Sequence, residues 1–185
     1  MTDEQLVQQF QKGDPSAFNE LVRRHQQTVY GVCRRFLGND HDADDAAQEV
    51  FVKAFNTLHR FTAKARVSTW LYRIAVNHSL NVLRSRRRNN RLQFFSQLSS
   101  DDLHLVHHLT DDEPNRRLEQ DERTERVQRA LAQLNDDLRS VVILHRYEEL
   151  SYQEIAEVLG VSVRAVESRL FRAKQKLAKL LRSKP

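Results

Sequence analysis

The chain is 185 residues long, 39% hydrophobic and 30% charged, with a formal net charge of +5, four Gly, three Pro and one Cys. That length suits one domain or two small ones, and the apolar content builds cores without any unbroken run long enough to cross a membrane. A lone thiol, Cys33, excludes an intrachain disulfide and fits a reducing cytoplasm, while the polar start MTDEQLVQQFQKGD lacks the apolar stretch of a secretory leader.

Taken in order, a short helix is expected around Asp3 to Gln11, broken by Lys12-Gly13. Asp14 then caps a helix with Pro15 at its first position. Its stripe is Phe18, Leu21, Val22, His25, Val29, Val32, Cys33 and Phe36, and Gly38 stops it. His25 lies on that stripe and reads as a core or boundary histidine, not a ligand. The next helix opens in the acidic turn Asp40 to Asp45, which suits the helix dipole, and runs to about Leu58. Ala43, Ala46, Ala47, Val50, Phe51, Ala54 and Leu58 face inward; Asp45, Gln48, Glu49 and Val52 face out together. That outer patch suits either a solvated face or a protein docking surface.

Phe61 to Val67, FTAKARV, is a basic loop, after which Ser68 caps a helix from Thr69 to about Ser85. Leu71, Ile74, Ala75, His78 and Val82 point inward, leaving Thr69, Tyr72, Arg73, Val76, Asn77, Asn81 and Arg84 outside. An aromatic and an amide beside Arg can hold unstacked bases, although Trp70 and Tyr72 can equally pack against the helix start. Arg84 to Arg91 is a charge run, and no period holds from there to Pro114, which reads as a flexible linker with transient helix. His104, His107 and His108 lie in it with no Cys or paired carboxylate at ligand spacing, so no metal site is expected.

Beyond Pro114, Leu118, Val127, Ala130, Leu131 and Leu134 mark a helix. Asn135 caps the next, with Asp136 and Asp137 in its first turn and Leu138, Val141, Val142 and His145 behind. Ser151 and Glu154 form a capping box that starts a helix at Tyr152; Ala156 is small at a crossing, Gly160 makes a tight turn, and Ser162 caps the last helix. Val163, Val166, Leu170, Ala173, Leu177 and Leu181 form its stripe, with Arg164, Ser168, Phe171, Arg172 and Gln175 opposite. An Arg-rich face with an exposed ring fits the major groove, where Arg reads guanine and an apolar group meets the thymine methyl.

Charge is segregated along the chain. No Asp or Glu occurs from Val50 to Ser100, and eight Lys or Arg stand against the single acid Glu167 from Val163 onward; an acidic block, Asp101 to Glu125, lies between. Two cationic surfaces parted by a linker imply nucleic-acid contact at two places.

The order of these parts resembles the extracytoplasmic-function group of sigma-70 factors of bacterial RNA polymerase. The resemblance rests on DAAQEVFVKAFNTLHRF (Asp45–Phe61), TWLYRIAVN (Thr69–Asn77) and LSYQEIAEVLGVSVRAVESRLFRAKQKL (Leu150–Leu177), in the family's order and at its separations. It implies an all-α chain of two small helical domains: region two over residues 1–88, a three- to four-helix bundle, and region four over 114–185, a four-helix bundle with a helix-turn-helix. A flexible linker over 89–113 would join them. By the same resemblance Asp45, Gln48 and Glu49 face the clamp helices of the polymerase's largest subunit, and region four meets its flap. Phe61, Lys64, Arg66, Trp70, Arg73 and Asn77 grip the melted minus-ten strand. Tyr152, Arg164, Glu167, Ser168, Phe171 and Arg172 read the minus-thirty-five duplex.

The family also implies promoter DNA and a soluble or membrane-anchored anti-sigma protein as partners, with no cofactor, small-molecule substrate or catalysis. A cytoplasmic place, at times on the inner face of the membrane, goes with that. Asn135 stands where many relatives have Pro, and Glu167 where some have Arg or Lys, so a cytosine amino group is a suitable partner there. The competing reading is a stand-alone helix-turn-helix regulator, whose dimer helix or effector domain is not evident in the sequence.

Overall fold

Most helix ends in this chain are set by short polar signals, and the helices pack into two units. The computed structural model describes residues 1–62, 65–97 (side chains to 90) and 126–182. Among them the helices are α1 (Asp3–Gln11), α2 (Ser16–Leu37), α3 (Asp40–Leu58), α4 (Val67–Gln97), α5 (described over 126–132), α6 (Asp136–Arg146), α7 (Tyr152–Leu159) and α8 (Val163–Arg182). No strand occurs among the described residues. None of these helices is long and apolar enough to cross a membrane.

In the amino-terminal unit, Thr2 and Gln5 close a capping box on α1. Asp14 accepts from the Ser16 backbone N–H at 2.9 Å and from its hydroxyl, so α2 begins at Ser16, one residue after the proline expected to open it. Gly38 ends α2 with φ 89° and donates its N–H to the Arg34 carbonyl. Asn39 caps α3 by accepting from Asp42 N–H at 2.9 Å. α2 runs through the middle of the unit with α1, α3 and α4 around it. Val29, Val32, Cys33 and Phe36 meet Val50, Ala54 and Leu58 of α3 and Leu71 and Ala75 of α4, all of them buried. The alanines Ala43, Ala46, Ala47 and Ala54 keep the α3 ridge low, so α3 lies close to its neighbours. His25 is half-buried at the boundary, its Nε2 2.6 Å from Asp3 Oδ2.

α4 departs from expectation at both ends. It starts at Val67, two residues early, so Ser68 lies inside the first turn and is not its cap. Val67 is fully covered, and the core it joins sets the start. The helix then continues through the basic run to Gln97, past Ser85, because arginine is a good helix former even where no core faces it. Arg86 ties this stretch to the start of α3 through Asp42, at 2.5 Å. Residues 98–125, which hold His104, His107 and His108, lie outside the described residues.

The carboxy-terminal unit packs α6, α7 and α8 about Leu138, Val141, Ile143, Leu144, Ile155, Val158, Val166 and Leu170. Covering side chains of that size contributes about 1.5–3 kcal/mol each. Asn135 caps α6 and Ser151 with Glu154 boxes α7, both as expected. Gly160 turns the chain with φ 66°, and Ser162 Oγ accepts from Ala165 N–H at 3.2 Å to start α8. Val163, expected on the buried stripe, is instead exposed at the first turn, ahead of where α8 meets α6 and α7. The two units are in contact, α4 against α7 and α2 against α6.

Candidate nucleic-acid and docking interfaces

α3 carries the first surface. Its low alanine ridge turns inward, which leaves Asp45, Gln48 and Glu49 in water on the far side. Val52 and Phe55 continue that side and stay 54% and 43% exposed. Phe55 is held edge-on by Phe10 and Phe18, with ring centroids at 5.2 Å in both cases, so it is fixed in place although half in solvent. Acids and an amide beside an ordered aliphatic and aromatic edge make a surface suited to a protein partner.

The second surface is the loop after α3 and the first half of α4. Gln11 Nε2 donates to the carbonyls of Leu58 and Phe61, at 3.1 and 3.0 Å, and so fastens the loop to α1. Phe61 then meets Trp70 edge-on at 5.3 Å, and both rings are half-buried. Packing therefore accounts for most of Trp70, the alternative that composition left open. Lys64 lies outside the described residues. Asn77 is exposed, as expected.

The face of α4 that sequence spacing puts outside is in part covered. Thr69 is 4% exposed and Val76 1%, because residues 69, 72, 73 and 76 share the side of α4 that meets the carboxy-terminal unit. Tyr72 donates its hydroxyl to Glu148 Oε2 at 3.3 Å. Arg73 donates through Nε to the Val158 carbonyl at 3.3 Å and through Nη2 to that of Glu157. Arg66 reaches Glu154 at 3.4 Å. Burial raises the phenol of Tyr72 well above its ordinary value, with the Glu148 charge acting the same way. Burial also raises the carboxyl of Glu148, and Arg35 opposes that shift.

α8 carries the third surface. Gly160 and Ser162 set its start, and Val166, Leu170 and Ala173 bury one side against α6 and α7. Arg164, Glu167, Ser168, Phe171 and Arg172 remain exposed on the other, Phe171 with 62% of its surface in water. Arg169 is the exception among the arginines. It turns back to Asp137 in the first turn of α6, at 3.2 Å. Tyr152, at the start of α7, is half-buried and meets the His145 ring edge-on at 5.2 Å. It therefore stands apart from the exposed row.

Reading the sequence assigned no role to Arg35, Arg139 or Glu148, which join the two units. Each looked like an ordinary surface charge, and no spacing marked it. Among the described residues, no three His, Cys, Asp or Glu are grouped to hold a metal ion.

Residues 21–89 match the Sigma-70 region 2 family and residues 124–177 match Sigma-70, region 4. The RNA polymerase sigma-H factor of Pseudomonas aeruginosa is 38% identical over 97% of this chain and 93% of its own. The ECF RNA polymerase sigma-E factor of Haemophilus influenzae is 35% identical over 95% and 93%. The chain belongs to the extracytoplasmic-function sigma factors. It is thus a transcription initiation factor and not an enzyme. The region-two match lies in α2 to α4, and the region-four match ends within α8. The solved structure of CnrH in complex with the cytosolic domain of CnrY is similar to this sigma factor over nearly its whole length. The TM-score is 0.69 and the identity 28%, covering 97% of this chain and 96% of that one.

Proposed function

We propose that this sigma factor docks on core RNA polymerase through Asp45, Gln48 and Glu49 on α3 and reads a promoter at two places. Region two, residues 1–88, holds the melted minus-ten strand with Phe61, Lys64, Arg66, Trp70, Arg73 and Asn77. Region four, residues 114–185, reads the minus-thirty-five duplex with Arg164, Glu167, Ser168, Phe171 and Arg172, Tyr152 standing at the edge. Residues 89–113 join them, α4 extending into that stretch. The observation that carries this reading is the exposed row on α8, a ring and two arginines held out by a helix whose other side is buried. Arginine recognises guanine with two hydrogen bonds, and Phe171 suits a thymine methyl. Duplex binding positions the enzyme, and capture of separated bases offsets a few kcal/mol of unstacking per step.

The factor works in the cytoplasm. An anti-sigma protein, soluble or anchored in the membrane with a cytosolic segment, holds it inactive by clamping the faces that polymerase needs. The likeness to CnrH, solved with the cytosolic domain of CnrY, supports that partner class.

Mixing the purified chain with core polymerase and genomic fragments, then sequencing run-off start sites, tests the reading. Co-elution with core and discrete starts sharing two elements are expected. Binding to one DNA site with no association to core would replace it with a stand-alone regulator.

A further inference from the structure

α1 lies ahead of residues 21–89, the stretch that matches region two, yet its last residue touches the loop assigned to the minus-ten strand. Gln11 reaches from the end of α1 to two carbonyls, those of Leu58 at 3.1 Å and Phe61 at 3.0 Å. They are the first and last carbonyls of a tight turn, in which the Phe61 N–H donates to the Leu58 carbonyl at 3.0 Å. Leu58 closes α3, so its carbonyl has no partner within that helix; the turn and Gln11 together supply two. Gln11 comes to this turn from a rigid support. Leu6 and Val7 of α1 are each 3% exposed. At the start of α1, Asp3 accepts from Arg24 at 3.0 Å and stands 2.6 Å from His25 Nε2. At its end, Phe10 lies 5.9 Å from the Phe18 ring and edge-on to Phe55 at 5.2 Å. Both ends of α1 are thus fixed, one against α2 and the other against α2 and α3.

We propose that Gln11 is a positioning residue for minus-ten recognition: by joining the Leu58 and Phe61 carbonyls it sets the direction in which the chain leaves α3 and holds Phe61 against Trp70 before the strand arrives. This rests on the assignment of Phe61, Trp70 and their neighbours to the minus-ten strand. Phe61 is the last residue that the amide touches, and its ring meets Trp70 edge-on at 5.3 Å. On the other side of the loop, the Arg66 carbonyl accepts from the Trp70 N–H at 3.1 Å, and Val67 is 1% exposed. Trp70 therefore ties the two ends of the loop together, and Gln11 ties the first of them to α1. Ordering a loop at the moment of binding costs affinity, and a frame built beforehand removes that cost. A fixed frame also sharpens choice among bases, because side chains held in one place cannot shift to meet the wrong edge. Gln11 is itself exposed and no part of the buried core, so a change there separates positioning from folding.

Two variants of the full chain separate hydrogen-bond donation from bulk. Gln11→Met keeps the length of the side chain and removes both N–H groups, whereas Gln11→Lys keeps a donor. Trp70 is the only tryptophan in the chain, so its fluorescence in the free protein reports the Phe61–Trp70 contact without any DNA. Acrylamide quenching measures how far that ring is open to solvent. The second readout is open-complex formation by the core-bound factor on a promoter mapped from its own run-off starts, with each minus-ten and minus-thirty-five pair altered in turn. Core affinity and Tm are measured alongside.

Gln11→Met is expected to raise the quenching constant of Trp70 about twofold and to lower the open-complex equilibrium about tenfold, as for the loss of two modest hydrogen bonds. Preferences among minus-ten pairs should narrow, and those at minus-thirty-five should stay as they are. Core affinity and Tm should hold, and Gln11→Lys should restore both readouts. Wild-type quenching in Gln11→Met, or unaltered minus-ten preferences in it, overturns the proposal. So does an equal loss in Gln11→Lys, which would deny the donor its part. A matching fall in core affinity or Tm also overturns it, by making Gln11 a general prop of the amino-terminal unit. If the wild-type factor itself is indifferent to every minus-ten pair, the minus-ten assignment fails and takes the positioning role with it, whatever Trp70 shows.

Discussion

Phe171 and Cys33 mark the two extremes of what a single side chain does here. Phe171 keeps 62% of its surface in water beside Arg172 and Ser168, where it adds little to the fold and is free for a base edge. Arg172 is exposed too, its Nε resting on the Ser168 carbonyl at 3.4 Å, a contact easily given up for guanine. Arg172→Ala should cost about 1–3 kcal/mol in binding a minus-thirty-five duplex and relax preference at one base pair. Titrations against duplexes altered one pair at a time test this; a loss equal on all of them would make Arg172 a phosphate contact. Cys33 is fully covered, and burial pushes its thiol up to about 11. At pH 8 roughly a thousandth is thiolate. Iodoacetamide at that pH should leave Cys33 intact in the native chain and alkylate it in guanidinium. The folded state holds this proton more tightly than the unfolded one. The thiol's contribution to stability is therefore complete below its ordinary value near 9 and fades as pH rises toward 11.

Between α7 and α8 the chain turns on one backbone conformation. Gly160 has φ 66°, and a Cβ there would meet nothing within 4 Å, so the penalty of substitution is conformational and not steric crowding. Gly160→Ala should cost about 1–2 kcal/mol, with Gly160→Asn costing less. By circular dichroism that is a fall of roughly 2–8 °C in Tm per kcal/mol; an unchanged Tm would show that the turn adapts. This stretch was legible in the sequence because its signals act within four residues: Ser151 with Glu154, then Gly160, then Ser162. The Asp40–Leu58 helix was legible for the same reason, its acidic first turn and alanine stripe both being local. α4 was not. Its start is set by the burial of Val67 and not by a cap, and its end lies beyond the last apolar period, where arginines sustain the helix without a core. Thr69 and Val76 were read as outward for a related reason: helical spacing tells which residues share a face, but not whether another unit covers it.

Whole-molecule organisation depends on charge placed far apart in the chain and brought together in space. The interface was illegible because Arg139 sits between Leu138 and Ser140 on a helix with an ordinary stripe, and only packing against α2 takes it out of water. The segregation of charge was legible, and it bears on how region four holds DNA. A net charge of +5 is small because the acidic block offsets the two basic ones, so attraction to DNA is local to each face and not a property of the sum. On α8, Lys174 and Lys176 are exposed and by helical spacing flank the Arg164–Ser168–Phe171–Arg172 row on its two sides. A helix seated in the major groove brings its flanks to the phosphate strands, where a cation releases a counterion and adds about 0.9 to the slope of log affinity against log salt. Lys176→Ala should therefore flatten that slope by about one, measured for the core-bound factor on a promoter duplex between about 50 and 200 mM salt, and leave the order of preference among promoter variants unchanged. Arg172→Ala should do the reverse, reordering the variants. If Lys176→Ala reorders them and leaves the slope alone, the helix sits in the groove rotated from the orientation that its buried stripe implies.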